Sequence, residues 1–382
     1  MEKRKLTIVT DYYWPQKGGV EMVAQTLALN LRSDFDIQIV THGVCSSPSL
    51  YHCFSDDKEI PLTDPNGNPI VCLKTRIMEK LLLLPLRIWD IPKLKKKRLY
   101  DLLYFFYRLT FKNKIIALLK DTRIVHCIST GYLARCISEI CSEKNIKLIC
   151  SPFIHFGKWG DSPGQINAYK SSDVLVCPTE SFKTDFLTIS RSAGRSVIVV
   201  IPPPISIISA PDPVNSERGE IFILFLGRRE KHKGLSLLLS AYQGLESEGK
   251  LVIAGPGQKV DSGNSQITDL GEVDETMKQH LLCTCSLLCV PSKDESFGIV
   301  YIEAMSYGKP VVALNISPVN EIIENGKTGI LVSPDDPVSL KKALKELLTN
   351  DSLRSEMGNA AKKDFDNRFS CDKVLQQYKK LY

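Results

Sequence analysis

Short apolar runs rich in Val, Ile and Leu alternate with segments of helical period along this chain, and the alternation occurs twice. Leu6–Val9, Ile37–Val40, Ile124–Cys127, Leu148–Cys150 and Val174–Val176 have the length and composition of buried strands. Ile221–Leu226, Leu251–Ala254, Leu287–Val290 and Val311–Leu314 repeat the pattern further on. After the first run, Val20, Val23, Ala24, Leu27 and Leu31 recur at the spacing of one helical stripe. Asp336-Pro337 caps a later helix whose buried face is Leu340, Leu344, Leu347 and Leu348. Strands and helices in this order specify parallel sheets covered on both faces.

The two halves meet at Ile201-Pro-Pro-Pro-Ile205, where three prolines stop any regular element, and the loop Ser209–Gly219 leads into a fresh strand. The expected class is therefore α/β, with two doubly wound domains over 1–204 and 205–364. Such sheets bind ligands outside the carboxyl ends of their strands, so the domains are expected to face each other across a cleft. Residues 365–382 are amphipathic and lack a strand of their own, which predicts a helix that packs back on the first domain.

Several classes are excluded at once. The longest apolar stretch, Leu81–Leu86, contains Pro85 and runs into Arg87, far short of the roughly 20 residues of a spanning helix. Met1-Glu-Lys-Arg-Lys5 leads into only five residues before Asp11, too few for a secretory apolar region. Twelve cysteines without a Cys-x-x-Cys pair are expected to be free thiols in a reducing, cytoplasmic compartment. Asp34-Phe-Asp36 and Asp364-Phe-Asp366 lie beside helical segments remote from the glycine loops described next, so no metal site is expected.

Charge is unevenly placed. Between Lys74 and Lys120 stand thirteen Lys/Arg against Glu79, Asp90 and Asp101, although the whole chain carries only +6. Lys93–Arg98 holds five basic residues in six, flanked by Leu81–Ile91 and by Leu102-Leu-Tyr-Phe-Phe-Tyr107. Basic residues interleaved with large apolar ones suit an anionic membrane surface better than nucleic acid, the alternative being a solvated excursion covering the first domain.

Three glycine-rich junctions follow predicted strands. Gly18-Gly19 opens the first helix, where the backbone can approach a ligand closely and offer N–H groups to an anion. Gly227-Arg228-Arg229-Glu230-Lys231-His232-Lys233-Gly234 sets a basic cluster at the equivalent point of the second half, with Arg228 and Lys233 suited to a pyrophosphate. Gly255-Pro-Gly257 lacks the third glycine of a dinucleotide fingerprint. In Pro291-Ser-Lys-Asp-Glu295-Ser-Phe297-Gly298-Ile299, a strand feeds a helix that Gly308 and Pro310 end. Glu295 precedes that helix, and Glu303 interrupts its otherwise apolar sequence.

Two glutamates separated by seven residues around Phe-Gly, ending in Glu-Ala-Met, closely resemble the retaining family 4 glycosyltransferases of the two-domain GT-B fold, built from two Rossmann-like domains. The resemblance extends over nearly the whole chain, through Gly18-Gly19, the Gly227–Gly234 loop, Gly271-Glu-Val273 and Asn325–Val332. It implies that Arg228 and Lys233 grip a donor diphosphate and that Glu303 binds its ribose. It further implies that Phe297, Gly298 and Ile299 contribute backbone contacts, that Val273 begins the base pocket and that Glu295 touches the transferred sugar. His155, after the Leu148–Cys150 strand, stands where the family commonly places a histidine, with an imidazole able either to position the donor sugar or to donate a hydrogen bond. Pro202-Pro-Pro-Ile205 and Ser317-Pro-Val-Asn320 depart from the family pattern at the linker and before Glu321.

The resemblance implies a metal-independent enzyme without a cofactor. It would move a sugar from a UDP- or GDP-sugar to a glycan or lipid-linked acceptor, in the cytoplasm and peripherally at the membrane. A sugar-nucleotide epimerase of the same fold and a non-catalytic partner subunit are the alternatives. The intact Arg228, Lys233, Glu295, Glu303 and His155 argue against the latter.

Overall fold

A computed structural model describes residues 3–16, 18–43, 49–55, 60–94, 96–206 and 220–382, so Lys95 and the loop 209–219 lie outside the described residues. The chain divides into two compact units, Met1–Ile205 with Val374–Tyr382, and Ser206–Lys373.

The first unit is built on strands β1 (Arg4–Thr10), β2 (Phe35–Thr41), β3 (Ile70–Cys72), β4 (Ile124–Cys127), β5 (Lys147–Cys150), β6 (Val174–Cys177) and β7 (Val197–Val200). They form one sheet in the order β3-β2-β1-β4-β5-β6-β7, and every paired strand is parallel. Its helices are α1 (Gly19–Leu31), α2 (Leu50–Ser55), α3 (Ile77–Leu83), α4 (Lys97–Leu118), α5 (Tyr132–Lys144), α6 (Pro163–Lys170) and α7 (Glu180–Ser190). The central strand β4 is buried at all four residues, which is why Ile-Val-His-Cys carries no exposed alternation.

The second unit holds β8 (Phe222–Leu226), β9 (Lys250–Ala254), β10 (Ile267–Gly271), β11 (Leu287–Cys289), β12 (Val311–Leu314) and β13 (Gly329–Val332). These are parallel in the order β10-β9-β8-β11-β12-β13. Its helices are α8 (Leu235–Tyr242), α9 (Glu275–Thr284), α10 (Ile299–Ser306), α11 (Val319–Ile322), α12 (Pro337–Thr349) and α13 (Asp351–Arg368). The Asp336 carboxylate accepts from the Val338 and Ser339 amides and starts α12 as the sequence predicts.

Four strands of the described residues stand outside the nine runs read from the sequence: β3, β7, β10 and β13. All four are sheet edges. In β10, Ile-Thr-Asp-Leu-Gly alternates between half-buried and exposed side chains, because one flank of an edge strand has no neighbour.

The expected single C-terminal helix over 365–382 is two elements. Phe365 lies inside α13, which stops at Arg368, and α14 (Cys371–Lys379) follows. From Val374 onward the chain belongs to the first unit. Tyr382 OH shares a 2.6 Å hydrogen bond with Nδ1 of the buried His126, whose Nε2 is 2.7 Å from Ser151 Oγ. Lys379 pairs with Asp34 at 2.7 Å.

The basic band of the sequence becomes α3, two 3₁₀ turns (Leu84–Asp90, Pro92–Leu94) and α4. Leu103, Tyr104, Tyr107, Phe111 and Ile115 of α4 pack into the core. Leu102 and Phe105 of the same helix are 71% and 56% exposed, as are Ile77 and Met78 at 79% and 74%.

Candidate active site

The carboxyl ends of β8, β9 and β11 bring three loops of the second unit together. Beyond Leu226, the Gly227 amide donates to Ala254 O at 3.0 Å. Gly255 has φ +132°, and a Cβ there would sit 2.1 Å from Gly227 O, so two bare backbones lie against each other. Arg229 turns inward onto Asp269, with its second nitrogen 2.6 Å from the other carboxylate oxygen. Asp269 also accepts from the Val260 and Gly271 amides, at 2.7 and 2.8 Å, which anchors the 255–260 loop. Arg228 points the other way, is 62% exposed, and pairs with Glu230 at 2.7 Å. Of the two adjacent arginines, only Arg228 is available to a ligand. It lines a cavity of about 610 Å³ together with Lys231, Ser236 and Lys259.

The next turn carries the other cation. Gly234 has φ +76°, and a Cβ there would stand 2.0 Å from Pro291 O. The Lys293 amide donates to His232 O at 2.7 Å, and Ser292 Oγ donates to the same oxygen at 3.3 Å. Seated in this way against the loop after β11, Lys233 Nζ comes to 2.7 Å from Glu295 Oε1. Their side chains are only 16% and 9% exposed. A positive charge and an acid thus sit side by side just before α10.

Gly298, at φ +104°, gives α10 its sharp entry, with the Tyr301 ring in the space a Cβ would need. Tyr301 OH donates to Val290 O at 2.9 Å, and the buried Phe297 ring packs edge-on against Phe369. Ile299 is the first residue of the helix. One turn further, the buried Glu303 accepts from Lys278 Nζ at 2.8 Å. Burial pushes the Glu303 carboxyl above its ordinary range, and the Lys278 ammonium opposes that rise. Val273, half-buried, follows Gly271, whose carbonyl accepts from the Gly255 amide at 2.7 Å.

Gly18, Gly19 and His155 belong to the first unit. Gly18 is extended and immediately precedes α1, with the Glu21 carboxylate folded back beside it. An acid, rather than open space, therefore lies next to this glycine. His155 follows β5 and heads a tight loop in which the Lys158 and Trp159 amides both donate to its carbonyl at 3.0 Å. Its ring lies 4.8 Å from that of the half-exposed Trp159, and Asp161 holds the loop through the Gly157 amide at 2.7 Å.

Residues 209–364 match the family model described as "Glycosyl transferases group 1". Over this segment the chain is similar to the group 1 glycosyltransferases. The chain is 35% identical over 188 residues to the phosphatidyl-myo-inositol mannosyltransferase of Mycobacterium leprae, covering 46% of this chain and 50% of that protein. It is 32% identical over 167 residues to an uncharacterized glycosyltransferase of Methanocaldococcus jannaschii, covering 42% and 47%. The alignments thus span about half the length of these two relatives. A longer, weaker likeness joins the chain to the O-antigen chain mannosyltransferase C of Escherichia coli, 22% identical over 400 residues and covering 99% and 98%.

Among solved structures, the sucrose-phosphate synthase of Thermosynechococcus elongatus superposes with TM-score 0.72 at 16% identity, over 100% of this chain and 98% of that one. Anabaena HepE in complex with UDP-glucose gives 0.72 at 15% identity, over 98% and 97%. At such identities the likeness is one of fold, the two-sheet GT-B arrangement.

Within the matched segment, Lys233 and the stretch from Glu295 to Gly298, which leads into Ile299 at the start of α10, lie on two loops tied to each other by hydrogen bonds. Arg228 has turned away to Glu230, and Glu303 carries a lysine of its own. Sequence reasoning missed Lys278 and the Arg229–Asp269 clamp. Lys278 precedes Leu281 and Leu282 at helical spacing, so a charge on the inward stripe of α9 was the available signal. Among the described residues, no group of His, Cys, Asp and Glu is arranged to hold a metal ion.

Proposed function

We propose that the protein is a retaining glycosyltransferase that moves a sugar from a nucleotide-diphosphate donor to a glycan or lipid-linked acceptor. The observation that carries this reading is the Lys233–Glu295 pair at the entrance to α10, inside the group 1 segment. An ammonium and bare backbone at a helix start suit a diphosphate, and a neighbouring carboxylate suits sugar hydroxyls. In the reaction proposed, the bond from the anomeric carbon to the diphosphate oxygen breaks. The acceptor oxygen bonds to the same face of that carbon, and its proton passes to the departing diphosphate. Lys233, Arg228 (once released from Glu230) and the amides of Phe297, Gly298 and Ile299 stabilise the negative charge that develops. Glu295 orients the sugar, Glu303 the ribose, Val273 the base, and His155 is assigned to the donor sugar with the Gly18-Gly19 loop.

The donor is proposed to be a UDP- or GDP-sugar. A structural neighbour holds UDP-glucose and two relatives are named mannosyltransferases, which supports a hexosyl donor. With cations and helix-start amides serving the diphosphate, neither a metal nor a cofactor has a required electrostatic role. The exposed apolar and basic side chains of 74–120 support a cytoplasmic enzyme resting on an anionic leaflet, and no helix among the described residues is long and apolar enough to cross it.

The deciding experiment incubates purified protein with UDP- and GDP-hexoses and a panel of lipid and oligosaccharide acceptors, then reads the product linkage by NMR. The expected product keeps the donor's anomeric configuration and forms equally in EDTA. An inverted product would sink the retaining assignment, and loss in EDTA restored by Mg²⁺ or Mn²⁺ would sink metal independence.

A further inference from the structure

We propose that Lys278 is a positioning residue for the nucleotide: it holds Glu303 in place as a carboxylate, with one oxygen left to accept a ribose hydroxyl. This rests on the donor reading above and assigns it a residue that none of the motifs contains.

The geometry is specific. Lys278 Nζ lies 2.8 Å from Glu303 Oε1, and Glu303 Oε2 accepts no hydrogen bond from the described residues. Lys278 is itself steered from behind, since Glu275, one turn earlier on α9, holds the same ammonium at 2.8 Å. The three side chains grade outward from 11% exposed at Glu303 through 18% at Lys278 to 45% at Glu275. A surface acid thus aims a half-buried lysine at a buried acid.

The electrostatics point the same way. The ionisable groups that face Glu303 are Lys278 and Glu275 from α9 and Tyr307 from the end of its own helix. Lys278 is the one cation among them. Burial works to discharge it, but Glu303 and Glu275 outweigh burial and raise it above its ordinary value. Without Lys278, Glu303 would face no cation among these groups, and Glu275 and its own burial both favour the protonated acid. A neutral carboxyl is a poor acceptor for a sugar hydroxyl compared with a carboxylate. Binding of the nucleotide should then depend on pH in a way that it does not while Lys278 is present.

The test is titration calorimetry with UDP, GDP and their 2′-deoxy counterparts from pH 6 to 9, beside turnover at saturating donor. For the unmodified protein, affinity for its preferred diphosphate is expected to be flat over this range. Lys278→Met is expected to bind about 10-fold more weakly at pH 7 and to recover as pH rises, with kcat within about 3-fold and a reduced preference for ribose over deoxyribose. Lys278→Arg should restore both affinity and the flat profile. In a Glu303→Gln background, Lys278→Met should cost nothing further, because the effect runs through that carboxylate. If Lys278→Met does not fold, Lys278→Gln carries the same comparison. Native affinity with a flat profile in the folded variant overturns the proposal, as does an undiminished loss in the Glu303→Gln background. If the unmodified protein binds neither UDP nor GDP, the donor reading itself has failed.

Discussion

Both acids around Phe297-Gly298 stand against a lysine: Glu295 against Lys233, Glu303 against Lys278. The first of these pairs has a consequence for binding. Lys233 can serve a diphosphate only by sharing or leaving Glu295, so the acid competes with the ligand for the ammonium. Glu295→Gln should therefore bind the bare nucleoside diphosphate more tightly, by about 3–10-fold, while turnover with the sugar donor falls. Calorimetry and initial rates on the same preparation check this, and a weaker diphosphate affinity in the variant would contradict it. A second expectation concerns acid. Burial lowers both His42 and His126 from the ordinary 6.5 to about 3, so the folded protein keeps them neutral where the unfolded chain protonates them. Between pH 6.5 and 3 the unfolded state binds more protons. Stability should be full above that window and fall within it by about 1.4 kcal/mol per pH unit for each histidine. Urea midpoints at pH 7 and 5 measure the loss, and His42→Asn should remove about half of it.

At the scale of elements, legibility followed burial on two sides. The strands read from sequence are the inner ones, such as β4 and β12, whose residues are all buried and leave unbroken apolar runs. The edges β3 and β10 pass unread, one too short and the other alternating with polar residues. Glu295 and Glu303 were legible because acids beside Phe-Gly and within an apolar helix break the local pattern. Which of Arg228 and Arg229 faces outward was not, since that choice depends on Asp269, forty positions away. The same holds for the loop contact at Gly234, where the crowding comes from Pro291. Gly234→Ala combines a positive φ with a steric overlap on backbone. It should destabilise the protein by about 2 kcal/mol or more and weaken diphosphate binding, as read by denaturant melts and calorimetry.

Over the whole molecule, the segment 74–120 exposes both basic and large apolar side chains. Lys97 pairs with Asp161 and Lys114 with Glu79, whereas Ile77, Met78, Leu102 and Phe105 stay open to solvent. Co-flotation with vesicles containing anionic lipid, but not with neutral ones, is expected. It should weaken in salt and on neutralising Lys96–Arg98, at about 1 kcal/mol per basic residue near the leaflet. Equal flotation on neutral vesicles would count against this surface. The return of residues 374–382 to the first unit also has a consequence in time. On a ribosome, the first sheet is made early, but the tyrosine that closes over His126 arrives only after the whole second unit, roughly 9–35 s later at 5–20 residues per second. Until then His126 and Phe35 lack the Tyr382 ring that covers them in the finished fold. The half-made protein thus exposes an adhesive spot for as long as its second half is being translated, and a chaperone that shields such spots would find its longest working interval there.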